Sequence, residues 1–303
     1  MKLIADSGST KTDWALVSDE GSVTFFHTQG INPVHQDDAT IVRILSDEFL
    51  PQLQSCVVAE VFFYGSGVRS TEEDRMQSLL AATLGCDHAE PTTSLCHAAM
   101  ADRSAASAGC AAVSVEAHSD LLGAARALFG HEQGLACILG TGSNSCLYDG
   151  STIVRNTPPL GYILGDEGSG AALGITLLGA LYKGLLPDCL RRQFEATMGM
   201  TLNSVIDRVY RQPLANRFLA SLSPFVRHHL DDECLRQLVV DHFRRFFQRN
   251  LAPYDCRHLP VRAVGSMAYY YEEQLRQAAT AEGYGLSTVV RSPIELLVAY
   301  HCG

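Results

Sequence analysis

The spacing of hydrophobic and polar residues predicts that the chain opens with a β-meander. Residues 2–6 and 13–18 have the composition of two hairpin strands, and residues 21–30 follow as a third strand. Apolar residues three and four positions apart predict a helix over 38–53, and residues 59–67 predict a short buried strand that ends in glycines. The remaining elements of this half are a helix over 71–85, a strand over 110–120 and a helix over 120–130.

The same succession of elements begins again near residue 135. Residues 135–155 predict a second strand–turn–strand, and a glycine-rich loop over 161–174 leads into a helix that runs to about Leu186. Residues 190–250 are predicted to be mostly helical. The later elements are a strand over 259–268, a helix over 268–282, a last strand "LSTVVRS" and a closing helix "PIELLVAYH". The chain is therefore predicted to be an α/β protein of two related halves, with a boundary near residues 117–119.

Composition and charge limit the classes of function. The 303 residues are 47% hydrophobic and 18% charged, as in a globular protein. The net charge of −10 argues against nucleic acid or an anionic membrane as the main partner, but not against a nucleotide. The ten cysteines form no CxxC pair, so a zinc site is not indicated. The N-terminus enters a strand without a signal-peptide pattern, so we expect reduced cysteines in a cytoplasmic protein.

The turn of the first hairpin is rich in small and hydroxyl-bearing residues. A turn of this kind directs backbone N–H groups into one concavity, where phosphate oxygens fit. Asp6 stands where a Mg²⁺ ion bound to phosphates needs an oxygen ligand. An ordinary hairpin with a polar tip is the alternative. The predicted phosphate-binding residues of this turn are Ser7, Gly8, Ser9, Thr10, Lys11 and Thr12.

Two further stretches support this interpretation. "LGTGSNS" (139–145) predicts a second phosphate-binding turn at Gly140, Thr141 and Gly142, which we expect to face the first turn across a cleft. In "AVGSMA" (263–268), small residues at a strand end allow a flat ring to approach the backbone. Taken alone, this stretch favours simple helix–strand packing, and it supports a nucleotide site only together with the two turns. The predicted nucleotide contacts there are Gly265, Ser266 and Met267.

Together these motifs resemble those of the actin, sugar-kinase and heat-shock-chaperone ATPase superfamily. Within it, the chain is similar to the N-acetylglucosamine kinase branch, which is grouped with ATPases that activate benzoyl-CoA reductase and 2-hydroxyacyl-CoA dehydratase. "DSGSTKTDWALV", "LGTGSNS", "VGSMA" and "GYILGDEGSG" carry the likeness in order. The resemblance implies two ribonuclease H-like (actin-like ATPase) domains with a nucleotide cleft between them. We place one at 1–118 with the closing helix 293–303, and the other at 119–292 with a helical insertion at about 190–250.

The resemblance also implies roles for individual side chains. Asp120 corresponds to the base that contacts the sugar hydroxyl, although an aspartate there is also a common helix N-cap. Asp166 corresponds to a contact to sugar hydroxyls, and a loop that caps the following helix is the alternative. Asn32 corresponds to a sugar contact, although Asn-Pro alone indicates a turn. The role of Glu167 stays open. Thr141 and Asn144 are expected near both phosphate and sugar, and Gly67 with Gly65 and Ser66 near an N-acetyl group.

The expected function is that of an ATP- and Mg²⁺-dependent sugar kinase. The acceptor expected first is N-acetylglucosamine, phosphorylated to its 6-phosphate, and a homodimer through the second half is expected from the same resemblance. Two alternatives remain open at this point. One is an ATPase activator that holds an iron–sulfur cluster at a dimer interface, although no cysteine pair lies beside a glycine-rich loop. The other is a sugar-sensing regulator that retains the fold.

Overall fold

The computed structural model describes residues 1–53, 56–85 and 113–303. These residues form two compact units, Met1–Asp120 and Leu121–Gly303. The first residues of the strand expected over 110–120 lie outside the described residues, which resume at residue 113.

The first unit is a five-stranded sheet with helices. Its strands follow the order β3-β2-β1-β4-β5, with antiparallel pairing from β1 to β3 and parallel pairing from β1 through β4 to β5. The strands are β1 (Lys2–Ser7), β2 (Lys11–Val17), β3 (Val23–Gln29), β4 (Glu60–Gly65) and β5 (Ser114–Ser119). The helices are α1 (Asp38–Ile44) and α2 (Ser70–Leu84).

Strand β1 is buried on both faces, because Leu3, Ile4 and Ala5 are all inaccessible to solvent. A central strand in a sheet covered on both sides is expected to be a continuous apolar run, as it is here. Trp14 of β2 anchors the core on one face, with its ring 4.2 Å from that of Phe49. This packing holds the turn that joins β1 to β2 on a rigid support.

The helix expected over 38–53 is interrupted. Helix α1 ends at Ile44. A π-helical turn follows over Leu45–Phe49, and a 3₁₀ turn over Leu50–Gln52 completes the segment. Pro51 explains the change, because proline has no N–H to donate and its ring clashes with the carbonyl four residues earlier.

The second unit repeats the topology of the first. Its strand order is β10-β9-β6-β7-β8. Counted from β8, this sheet has the arrangement of the first: an antiparallel meander of three strands (β8, β7 and β6), followed by two strands that pair in parallel (β9 and β10). The strands are β6 (Gly134–Leu139), β7 (Ser143–Tyr148), β8 (Ile153–Asn156), β9 (Val261–Val264) and β10 (Leu286–Val290). The two related halves inferred from the sequence are thus present as two sheets of one topology.

Helices account for most of the rest of the second unit. Helix α3 (Asp120–Phe129) starts with the last residue of the first unit. Two features were not expected: a short helix over 161–164, and a break at Tyr271 in the helix after β9. The other helices are α4 (Gly161–Leu164), α5 (Gly170–Tyr182), α6 (Asp188–Met198), α7 (Leu202–Tyr210), α8 (Ala215–Ala220), α9 (Ser223–His228), α10 (Glu233–Phe246), α11 (Ser266–Tyr270), α12 (Glu272–Ala281) and α13 (Ile294–Cys302).

The closing helix α13 makes its described contacts within the second unit. The ring of Tyr300 lies 5.3 Å from that of His131 and 5.5 Å from the guanidinium carbon of Arg126. The division into two compact units falls after Asp120 and counts this helix with the second unit. The domain limits drawn from the sequence, which place the helix with the first domain, stay a prediction.

After α10 the chain continues in a wide, π-helical turn, Phe247–Leu251, and then in a 3₁₀ turn, Ala252–Tyr254. The hydroxyl of Tyr254 donates to the carbonyl of Ser145 at 2.8 Å and accepts the N–H of Thr157 at 2.9 Å. These bonds tie the end of the helical region to strand β7.

No helix among the described residues has both the length and the apolar character needed to span a bilayer.

Candidate active site

The first turn is closed by its own backbone. The N–H of Gly8 donates to the carbonyl of Lys11 at 2.9 Å, which leaves Ser9 and Thr10 at the tip. Gly30 packs directly beneath, and a Cβ atom there would lie 2.3 Å from the carbonyl oxygen of Gly8. The turn is therefore built on a close backbone approach that only glycine permits.

The hydroxyls of Ser7 and Thr12 are already used inside the protein. Both residues are fully buried, and their Oγ and Oγ1 atoms lie 2.7 Å apart. Ser7 Oγ also lies 2.9 Å from the Ile31 carbonyl and accepts the Ile31 N–H at 3.0 Å. Their side chains support the turn, so the tip that this turn presents outward consists of Ser9 and Thr10.

Lys11 is paired within its own strand. Its Nζ lies 2.7 and 2.9 Å from the two carboxylate oxygens of Asp13, which is two residues on and therefore on the same face of β2. The expected positive charge beside the turn is thus balanced by a neighbouring carboxylate.

Asp6 and Asp120 are two carboxylates of the first unit that interact electrostatically. Asp6 directly follows the buried run Leu3–Ala5 of β1, and Asp120 is the first residue of α3, directly after β5. Burial raises the pKa of Asp6 to about 7, with further increases from the charges of Asp120 and Asp13 and an opposing effect of Lys11. A cation at this position would relieve that unfavourable charge.

Mg²⁺ is the cation that this acidic group suits. Among the described residues there is no cluster of three or more His, Cys, Asp or Glu side chains that could hold a metal alone. Mg²⁺ commonly binds through one or two carboxylates together with phosphate oxygens and water. Asp6 fits that mode of binding, because it is one carboxylate beside a turn suited to phosphate.

Asn32 and Gly67 lie together at the same end of the first sheet. Ile31, the neighbour of Asn32, is held by Ser7, and the Ser66 N–H donates to the Ser7 carbonyl at 2.8 Å. Asn32 Oδ1 accepts the Val34 N–H at 3.0 Å, as expected for a turn. In the part of the chain that the structure describes, Asn32 Nδ2 has no hydrogen-bond partner, so it can donate to a ligand.

The second turn is held from the side by helix α5. The Gly140 N–H donates to the Gly142 carbonyl at 2.9 Å, a tighter closure than the bond from Gly8 to Lys11 in the first turn. The first N–H groups of α5 donate to this turn: Gly170 to the Gly140 carbonyl at 2.8 Å and Ala171 to that of Thr141 at 3.1 Å. The turn is thus fixed by the helix that follows the glycine-rich loop.

The glycine-rich loop brings Asp166 to this turn. A Cβ atom at Gly142 would lie 3.1 Å from Asp166 Oδ2. The N–H groups of Gly161 and Ser143 lower the pKa of this carboxylate. Burial, with a smaller contribution from the charge of Glu167, raises the pKa of Asp166 to about 6. The cap of helix α5 is Ser169, whose Oγ accepts the Ala172 N–H at 3.1 Å. Asp166 is therefore not the capping residue.

Asn144 and the hydroxyl of Ser143 complete this group. Asn144 Oδ1 accepts the Ser145 N–H and a hydrogen of Asn156 Nδ2, each at 2.9 Å, which fixes the orientation of the amide. Ser143 Oγ is buried and has no partner among the described residues. A buried hydroxyl without a partner is uncommon, so Ser143 is a candidate ligand contact that the sequence did not single out.

The predicted nucleotide contact at 265–267 packs against the strand that leads into the second turn. A Cβ atom at Gly265 would lie 2.2 Å from the carbonyl oxygen of Leu139, and the φ of Gly265 is +122°. Ser266 is exposed, whereas the Met267 side chain is buried in the core. Any contact from Met267 to a ring must therefore come from its backbone.

Each unit thus gathers its own predicted residues. Asp6, Asn32, Gly67 and Asp120 lie with the first turn at one end of the first sheet. In the second unit, Thr141, Asn144, Asp166 and Gly265 surround the second turn. The sequence missed Gly30, Ser143 and the partners of Glu167.

Comparison with known proteins identifies the class. No protein-family model and no curated protein sequence matches the chain. Among solved structures, a provisionally named N-acetylglucosamine kinase from Porphyromonas gingivalis is 41% identical, with a TM-score of 0.89, over 99% of this chain and 98% of that chain. A second provisionally named N-acetylglucosamine kinase, from Chromobacterium violaceum, is 17% identical over the same shares, with a TM-score of 0.71.

A provisionally named sugar kinase from Cytophaga hutchinsonii has 13% identity, a TM-score of 0.50 and the same coverage. The two more distant likenesses concern the fold alone. The fold is that of the actin-like ATPases. Because 41% identity extends over nearly the whole of both chains, the chain belongs to the N-acetylglucosamine kinase family within that class.

Proposed function

We propose that this protein is an ATP-dependent sugar kinase that transfers the γ-phosphoryl group to an amino sugar. The proposed acceptor is N-acetylglucosamine, and the proposed product is its 6-phosphate. The observation that carries this proposal is the 41% identity to the Porphyromonas gingivalis protein over nearly the full length of both chains. The grouping of residues around each turn supports it.

The proposed binding of ATP uses backbone more than side chains. The tips of the two turns, at 9–10 and 141–142, are the proposed source of N–H groups for phosphate oxygens, because Gly8 and Gly140 donate theirs within the turns. Gly265 lies beside the second turn and is the proposed adenosine contact. Asp6 is the proposed contact to Mg²⁺, directly or through water. When bound, the ion would neutralise phosphate charge as the phosphoryl group is transferred.

The proposed acceptor contacts are polar groups with remaining hydrogen-bond capacity. Asp166 is a buried carboxylate that can accept from sugar hydroxyls. Asn32 and Asn144 each use Oδ1 within the protein, and neither Nδ2 has a hydrogen-bond partner among the described residues. Asp120 is the proposed base that accepts the proton of the attacking hydroxyl. A loose transition state needs this hydroxyl to be oriented more than it needs it to be deprotonated beforehand, so an aspartate suffices.

The test is a panel of hexoses and amino sugars assayed for acceptor-dependent ADP release. We expect N-acetylglucosamine to give the highest kcat/KM, with phosphate on the primary hydroxyl of the product by NMR. ATP hydrolysis that no sugar stimulates, in a brown and oxygen-sensitive preparation, would favour the reductase-activator alternative. Sugar binding without ADP release would favour a regulator.

A further inference from the structure

Two adjacent acids of the glycine-rich loop point into different surroundings. The Asp166 carboxylate faces Gly142. The N–H groups of Gly161 and Ser143 lower its pKa and so favour its ionised form. The Glu167 carboxylate turns to the helical region, where Oε1 lies 2.8 Å from an Arg249 nitrogen and Oε2 lies 3.3 Å from Asn250 Nδ2. The two residues therefore have different tasks, although they are neighbours in sequence.

The backbone between these side chains leaves little freedom. Asp166 has a φ of 51° and Gly168 a φ of 82°, so Glu167 lies between two residues in the left-handed region. A non-glycine residue in that region costs about 1 kcal/mol or more and persists only where its surroundings hold it. Gly168 is also enclosed, because a Cβ atom there would lie 2.9 Å from Leu139 and 3.0 Å from Phe246.

The contacts to Glu167 come from the wide turn Phe247–Leu251, which follows α10. Asn250 is 3% exposed, and its carbonyl accepts the hydroxyl of Ser145 at 3.4 Å. Asn250 thus touches both the loop that carries Asp166 and the strand that leaves the second turn. Wide helical turns of this kind are frequent at functional sites.

We propose that Glu167, held by Arg249 and Asn250, is a positioning residue that fixes the Asp166 carboxylate against the second turn. The helical region that carries no recognisable motif then has a defined task, which is to support the acceptor-binding loop. The inference rests on the proposed function only for the identity of the ligand that Asp166 contacts.

The charges around the loop distinguish a positioning role of Glu167 from simple packing, because they predict how the pKa of Asp166 responds to each substitution. The groups that act on Asp166 are its buried surroundings, the N–H groups of Gly161 and Ser143, and the negative charge of Glu167. Burial alone would raise the pKa of Glu167, but Arg249, the backbone N–H of Glu167 itself and Asn250 together outweigh it and lower that pKa. Arg249 therefore pairs with the Glu167 charge, which raises the pKa of Asp166. Loss of Arg249 should raise the pKa of Asp166, and loss of the Glu167 charge should lower it.

The experiment compares Glu167→Gln, Arg249→Gln, the double variant and Arg249→Lys. Titration of Asp166 is followed by carboxyl ¹³C NMR in ¹³C-aspartate-labelled protein, with the signal assigned by Asp166→Asn. We expect the two single variants to shift the titration in opposite directions, each by about half a pH unit. Arg249→Lys should restore the wild-type midpoint in part. Glu233→Gln and Arg236→Gln are the controls, because they alter an exposed ion pair on α10 away from the loop.

Kinetics give a second and separate measurement. Each single variant should raise the KM for the acceptor about 10-fold, the equivalent of one lost hydrogen bond, while the KM for ATP stays within about 2-fold. The inference is overturned if both single variants shift the titration in the same direction, or if both leave it unchanged. Absence of any sugar phosphorylation by the wild type would overturn the proposed function instead. The NMR titration would still test the role of Glu167, because it needs no substrate.

Discussion

The backbone of Gly67 lies so close to the side chain of Asn32 that a Cβ atom at Gly67 would stand 2.3 Å from Asn32 Oδ1. The φ of Gly67 is +82°, so two separate constraints favour glycine at this position. Asn32 is in turn fixed by Gln36, whose Oε1 accepts the Asn32 N–H at 2.8 Å. The contact links two stretches that the sequence identified separately.

Substitution of Gly67 by alanine should therefore displace the Asn32 amide. We expect Gly67→Ala to raise the KM for the acceptor about 10-fold, with a smaller change for ATP. Gly21→Ala is the matched control, because Gly21 has a φ of +84° and open space around its Cβ position. Both variants should lose about 1 kcal/mol of stability through backbone strain. Equal acceptor KM values for the two variants would contradict the assignment of Asn32.

Gly30 offers the corresponding test of the first turn. Gly30→Ala would place a Cβ atom 2.3 Å from the Gly8 carbonyl, and the turn backbone must move to accommodate it. We expect the KM for ATP to rise about 10-fold while the KM for the acceptor stays within about 2-fold, the reverse of Gly67→Ala. Steady-state kinetics with each substrate varied in turn will show this. A Gly30→Ala enzyme with unchanged ATP dependence would remove the first turn from the nucleotide site.

Local pattern predicted the elements of the fold well. The strand–turn–strand at each sheet follows from apolar runs interrupted by small residues, and the repeat of that pattern predicted two units of one topology. The interrupted helix after Asp38 was missed, although Pro51 was a visible signal.

Side-chain roles were harder to predict, because they depend on distant residues. The pairing of Lys11 with Asp13 could have been found, since residues two apart in a strand share a face. The buried state of Ser7 depends on Ile31, and the role of Glu167 depends on Arg249, 82 positions away along the chain. No local pattern contains either relationship.

Asp166 should give the reaction an acid limb. Because burial raises its pKa to about 6, the carboxylate becomes protonated as the pH falls through that value, and it then loses part of its capacity to accept hydroxyl hydrogens. We expect the KM for the acceptor to rise below about pH 6, and Asp166→Asn to have a high KM without this pH dependence. The measurement is the acceptor kcat/KM from pH 5 to 9. An unchanged acid limb in Asp166→Asn would assign it to another group.

Asp120→Asn tests the base. The substitution keeps the size of the side chain and removes its ability to accept the hydroxyl proton as a carboxylate. We expect kcat to fall about 10²-fold or more while the affinities for nucleotide and acceptor, measured by calorimetry, change by only a few-fold. Glu116→Gln is the control, because Glu116 lies on β5, the strand that leads to Asp120, and its side chain is half exposed. Near-normal turnover of Asp120→Asn would show that another group is the base.

Asp6→Asn should stabilise the metal-free protein while impairing catalysis. In the folded state the pKa of Asp6 is raised from 3.8 to about 7, so the folded protein binds this proton more tightly than the unfolded chain does. Stability from this group is therefore present at low pH and is lost as the pH rises from about 4 to 7.

At pH 8 without Mg²⁺, we expect Asp6→Asn to melt about 2–4 °C above the wild type. Addition of Mg²⁺ should raise the Tm of the wild type more than that of the variant. Asp47→Asn, at an exposed position, is the control. A lower Tm for Asp6→Asn at pH 8, or an equal Mg²⁺ response in both proteins, would contradict the metal role of Asp6.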